Sequence, residues 1–201
     1  MSSQRLILPI NKCRLTASWK TDAYYNRFGF IHYGVDLIST TGAVDGNRTV
    51  YASGEGVVLE RGYDNVVGNM LAVLYLDAYN RVTGRIEDVV LRYFHLGSMN
   101  VSKWQKVTKD TVLGIYGATG SLKVSPHLHI ESDTDIAYPL YSPTVYSSNL
   151  LKGRKLGAND KTMQNTLEWL HCKTSPPDWQ SYSTAQNSFV NTKDWKTEYI
   201  N

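Results

Sequence analysis

Cysteine is nearly missing from this 201-residue sequence: there are two, Cys13 and Cys172, at opposite ends of the chain. Two thiols so placed cannot build a four-thiolate zinc cage. They leave open either two separate buried thiols or one bridge tying the ends together. Long apolar runs are missing as well. None approaches the ~20 residues that cross a bilayer, so no membrane insertion is expected. The opening MSSQRLILPINKCRLTASWK has no apolar stretch of signal-peptide length. Charge of one sign is also scarce. Lys and Arg number 21 against 18 Asp and Glu, a net +3, with a pI near 8.7 and no long basic cluster. That argues against a nucleic-acid partner. There is no internal repeat, low-complexity block or obvious linker, and the length suits one domain.

What the sequence does contain is strand signal. TVYASGEGVVLERGY reads as strand, Gly-rich turn and strand, with β-branched residues around Gly54 and Gly56. NMLAVLYLDAYN is a strongly apolar strand, NRVTG a hairpin connection, and IEDVVLRYFHL the returning strand. SKWQKVTKDTVLGIYGATG holds two short apolar segments, and PHLHIES alternates His127, His129 and Glu131 with Leu128 and Ile130. Strands spaced by Gly and Asn turns predict a mainly β, antiparallel fold. After about residue 137, Tyr, Ser, Pro and Asn become frequent, and only KTMQNTLEWLHC looks helical, with Met163, Leu167 and Leu170 at helical spacing. Residues 1–137 are therefore read as the β-core. Residues 138–201 are read as a C-terminal extension wrapped on it, irregular or helical, and too short to be a domain of its own.

Four of the five histidines stand out. His32 and Asp36 are four residues apart, His127 and His129 are two apart, and His95 ends the VVLRYFHL strand. In a strand, both spacings place side chains on one face. Imidazole and carboxylate are suitable zinc ligands, and a catalytic zinc site takes three protein ligands and keeps one position open. Two His and one Asp make such a set and leave histidines over for proton transfer. Spacing alone does not say which of His127 and His129 would be the ligand. Glu131, on the face of His129, is read as a partner of the ligands or an exposed charge, and His171 as structural. The tyrosines are read as packing, with Tyr93 a candidate for the groove wall.

FIHYGVDL, VYASGEGVVLERG, YFHLGSMNVSKWQKVTKDTVLGIYGATG and SPHLHIE resemble, in order and spacing, the lysostaphin and LytM family of zinc endopeptidases. The resemblance covers roughly residues 28–132. It implies a lysostaphin-like β-sandwich with an open groove, and one Zn²⁺ per chain held by His32, Asp36 and His129. It also implies His95 and His127 as the catalytic histidines that do not bind metal, and the peptides of peptidoglycan as substrate. A related zinc D-Ala-D-Ala carboxypeptidase and a non-catalytic wall-binding regulator are the alternatives. A monomer acting at the bacterial cell wall is expected, and the lack of a visible signal peptide suits a phage lysis or tail protein. The sequence departs from the family in its loops. Trp104 stands before Gln105 and Asp110 in a second turn, where glycines are usual, and Ser125 precedes Pro126. The TGSLKVSP loop is one residue longer than usual and the NRVTG hairpin is extended; both are expected to wall the groove.

Overall fold

Two long antiparallel strands form the spine of the molecule, because the apolar runs Gly68–Tyr79 and Ile86–Met99 pair with each other and are buried along much of their lengths. The structure is a computed structural model. It describes residues 3–39, 47–121, 124–143, 145, 148–151, 161–171 and 188–190. In chain order the elements are β1 (Leu6–Ile7), β2 (Lys12–Ala17), α1 (Asp22–Phe28), β3 (Val35–Ser39), β4 (Thr49–Tyr51), β5 (Gly56–Asp64), β6 (Gly68–Tyr79) and β7 (Ile86–Met99). There follow β8 (Lys106–Val107), β9 (Val112–Tyr116), β10 (Leu128–Asp133), β11 (Met163–Gln164), β12 (Leu170–His171) and β13 (Ser188–Val190). The main sheet runs β13-β2-β3-β10-β7-β6-β5-β8, with β11 on β10 and the β4–β9 pair joined to β7. Its pairings are antiparallel, as expected. The short β1–β12 pair is parallel.

Alternation along β10 and β7 separates two faces. Leu128 and Ile130, with Tyr93, Leu91 and Val89, enter the main hydrophobic core. On the opposite face lie His129, Glu131 and Asp133 of β10, and Phe94, Arg92 and Val90 of β7. Phe94 and Val90 pack there with Val145, Leu151, Ile136 and Leu140. Ile136, Leu140, Val145 and Leu151 thus cover the sheet on the side that carries the histidines. Residues 167–170 cover the other side, where Leu167, Trp169 and Leu170 are fully buried in the main core.

The helix expected over KTMQNTLEWLHC is not formed. That stretch is β11, a 3₁₀ turn (Thr166–Glu168) capped by the Asn165 side chain, and β12; Cys172 lies outside the described residues. Met163 packs with Tyr33 and Tyr141, whereas Leu167 and Leu170 enter the main core. Their helical spacing therefore never corresponds to one face. Conversely, α1 is a helix that the sequence pattern does not announce; it ends at Gly29, whose φ of 79° suits a residue without Cβ. Tyr93 belongs to the core, bonded to Tyr75 Oη at 2.9 Å. Trp104 occupies the left-handed region at φ 69°, a conformation that glycine adopts at less cost than a residue with a Cβ.

Trp169→Ala is expected to cost ~3–5 kcal/mol, the usual range for deleting a large buried aromatic. For a domain of this size that lowers the melting temperature by on the order of 10 °C, measurable by calorimetry. Truncation after Ala137 removes Leu167 and Leu170 as well and should destabilise the chain further.

Candidate metal centre

Register brings the first two candidate ligands together. β10 pairs with β3 so that His129 lies opposite Asp36, and with β7 so that it also faces Phe94. His32 arrives differently from the sequence expectation. It lies three residues before β3, on irregular backbone, so strand alternation does not align it with Asp36. Its orientation comes from packing. The Tyr24 ring of α1 stacks on His32 with centroids 4.1 Å apart, and Lys20 N–H donates to His32 O. Gly34, between His32 and Asp36, leaves room for the His129 ring: a Cβ there would stand 2.6 Å from His129 Nε2 and 2.5 Å from Ile130 O.

Three atoms converge. His129 Nδ1 lies 2.8 Å from Asp36 Oδ1, His32 Nε2 lies 3.2 Å from the same oxygen, and the two nitrogens are 3.0 Å apart. Ligand atoms bonded tetrahedrally to one zinc at ~2.0–2.1 Å are roughly 3.3 Å apart, so the triangle has nearly that size. The outward nitrogens are engaged elsewhere. A carbonyl only accepts, so His32 Nδ1–H donates to Ser18 O at 2.9 Å, leaving the Nε2 lone pair on the inside. His129 turns Nε2 toward Glu131 Oε1 at 3.5 Å, which leaves Nδ1 inside. Two imidazole nitrogens and a carboxylate oxygen turned toward one another favour positive charge between them, a proton or a metal ion.

The charges agree with this. Burial would raise the Asp36 carboxyl, but the His32 and His127 charges and hydrogen bonds with His129 and His32 outweigh it and hold Asp36 well below the usual range. Burial likewise works against the His129 imidazolium, yet Asp36 and Glu131 hold it at about 9. Positive charge is favoured at this point. His32, Asp36 and His129 are all buried, and they are the one set of His, Cys, Asp or Glu among the described residues with metal-ligand spacing.

His95 and His127 lie beside this triangle, with ring centroids 4.9 Å apart. His127 Nδ1–H donates to Ser125 O at 2.8 Å, and His95 Nδ1–H donates to Thr119 O at 3.0 Å. Each therefore presents Nε2, that of His127 at 3.6 Å from Asp36 Oδ1. Burial, with the charges of His127 and His129, lowers the His95 pKa to about 4. His95 reaches this side only because β7 changes phase. Tyr93 and Leu96 both enter the core, which strict alternation forbids for residues three apart. His95 adopts φ 60° between them, next to register shifts in both flanking ladders. It is a bulge that re-aims one side chain toward the site.

The surroundings correct one expectation. The NRVTG hairpin lies at the start of β7, nine residues from His95 or roughly 30 Å of strand, and packs on Glu168 and Leu170. It does not wall the site. The β5–β6 turn does so instead: Val67 O accepts from His95 N–H, and Val66 O from Ser121 N–H. Leu122 and Lys123 of the TGSLKVSP loop lie outside the described residues. Glu131 is fully buried, and His171, also buried, packs on Tyr79 far from the centre.

The family model of Peptidase family M23 matches residues 30–138. Peptidoglycan DD-endopeptidase ShyA of Vibrio cholerae is 32% identical over 100 residues, which are 50% of this chain and 20% of that protein. The chain thus spans about a fifth of the length of this curated relative. A zinc-containing peptidase from Vibrio cholerae superposes with a TM-score of 0.50 at 25% identity, covering 65% of this chain and 37% of that one. The solution structure of lysostaphin shares the fold, with a TM-score of 0.50 at 21% identity over 83% of this chain and 54% of that one.

Proposed function

The chain belongs to peptidase family M23, and on that premise we propose that it is a zinc-dependent endopeptidase cutting peptide links of bacterial peptidoglycan. The observation that carries this reading is the convergence of His32 Nε2, Asp36 Oδ1 and His129 Nδ1, with the ligand rings' other nitrogens already directed to Ser18 O and Glu131. His32, Asp36 and His129 would hold the ion. When bound, zinc polarises a carbonyl and brings the pKa of a coordinated water toward ~7.

The remaining chemistry belongs to His95 and His127. Each Nε2 is a proton acceptor while its Nδ1–H is committed to a backbone carbonyl. A proton taken from the attacking water turns one of them into a donor. That donor can then stabilise the oxyanion of the substrate carbon or protonate the leaving amine. Two imidazoles with centroids 4.9 Å apart can divide acceptance and donation between them. A glycosidase would instead need two carboxyl groups flanking its substrate. Here Asp36 is committed to the triangle, and Glu131 is fully buried.

Purified cell wall incubated with the protein should release new amino groups and no reducing sugars, and a chelator should abolish the release. Chelator-resistant reducing sugars without new amines would refute the assignment. A defined stem peptide with a blocked C-terminus should still be cut internally, whereas a carboxypeptidase would leave it intact.

A further inference from the structure

The C-terminal extension reaches the metal centre through a buried carboxylate. Glu131 stands on β10 two residues beyond His129, on the same face, and opposite Arg92 of β7. Its Oε1 lies 3.5 Å from His129 Nε2 and also accepts a 2.8 Å hydrogen bond from Ser142 Oγ. Its Oε2 lies 3.9 Å from Arg92 Nη1. Arg92, Glu131 and Ser142 are all fully buried. Arg92 also donates to Asp133 Oδ2 at 2.8 Å, to Tyr138 O at 3.0 Å and, through Nε, to Pro139 O at 3.0 Å. It thereby clamps the backbone that leads to Ser142.

We propose that Ser142 is a positioning residue for the metal ligand His129, acting by holding the Glu131 carboxylate on the histidine side of a buried tug between His129 and Arg92. This rests on reading the centre as a zinc site. The physical case is a competition. A guanidinium at 3.9 Å attracts the carboxylate strongly in a buried setting, and a charge-assisted hydrogen bond would form at about 2.7–2.9 Å. The terminal torsion of a glutamate is broad, so its carboxylate can turn toward Arg92. Ser142 Oγ–H anchors Oε1 where it also faces His129 Nε2. Without that anchor the carboxylate pivots to Arg92, the Nε2–H loses its acceptor, and the ring is no longer held with Nδ1 toward His32 and Asp36. Outer partners of this kind are generally worth about 10–100-fold in metal affinity.

The test uses the full chain and its Ser142→Ala variant, with Zn²⁺ affinity measured by competition against a chromophoric chelator. The ligand-field spectrum of the Co²⁺-substituted protein and the melting temperature of the metal-free protein are recorded alongside. The expected result is about a tenfold loss of Zn²⁺ affinity with a shifted Co²⁺ band. A segment that merely packs would lower the melting temperature without moving the Co²⁺ band. An unchanged band in Ser142→Ala, whatever its Zn²⁺ affinity, overturns the proposal. An unsubstituted chain that binds neither ion overturns the zinc reading itself, and this inference with it.

Discussion

His129→Ala is expected to reduce bound zinc from about one per chain to almost none, and Asp36→Ala and His32→Ala should do the same. Each residue supplies one corner of the 2.8–3.2 Å triangle, and a site with three protein ligands that loses one has too few left to compete with water. The loss should exceed the roughly 10–100-fold that removal of an outer partner costs. His127→Ala is the control. Its Nε2 lies 3.6 Å from Asp36 Oδ1, and it sits outside the triangle, so the variant should keep its metal. Elemental analysis of the four purified variants decides the matter. Full occupancy in His129→Ala with loss in His127→Ala would show that the ligand role belongs to the other histidine of the pair.

The second large effect is catalytic. His95→Ala and His127→Ala should each keep zinc and a near-normal melting temperature while losing ~10²–10⁴-fold in turnover, the usual worth of a general acid or base. Both side chains are fixed by a single Nδ1–H bond to a backbone carbonyl, so removing either leaves the triangle in place. The φ of 60° at His95 is no easier for alanine than for histidine, so this replacement relieves no backbone strain. If the two act as a unit, the double variant should be little worse than either single one. Near-normal turnover in both single variants, measured as amine release from cell wall, would remove these histidines from the mechanism.

Much of the architecture is legible in the order of residues, and the reasons are local. The strands are readable because alternation and turn residues report half-buried extended backbone directly, as β5, β6, β7 and β10 show. The pattern of His32, Asp36, His95, His127 and His129 singles out candidate site residues because imidazole and carboxylate at strand spacing suit a metal, and the family resemblance divides the roles among them. The helix expected over KTMQNTLEWLHC does not form because Met163 and Leu167 serve different clusters. Periodicity in the sequence records that residues are buried, not what they are buried against.

Sequence alone thus determined the β character, the candidate ligand set and the family. Tertiary structure decided how those residues meet. Register on β10 set His129 opposite Asp36, and a phase change at the left-handed His95 turned that ring out of the core side of β7. Tyr24 of α1, 8 residues before His32, stacks on that ring, and Ser142, 13 residues beyond His129, bonds the Glu131 carboxylate that faces it. Such contacts leave no spacing signal, because they depend on which surfaces the folded sheet presents to one another and not on the order of residues along the chain.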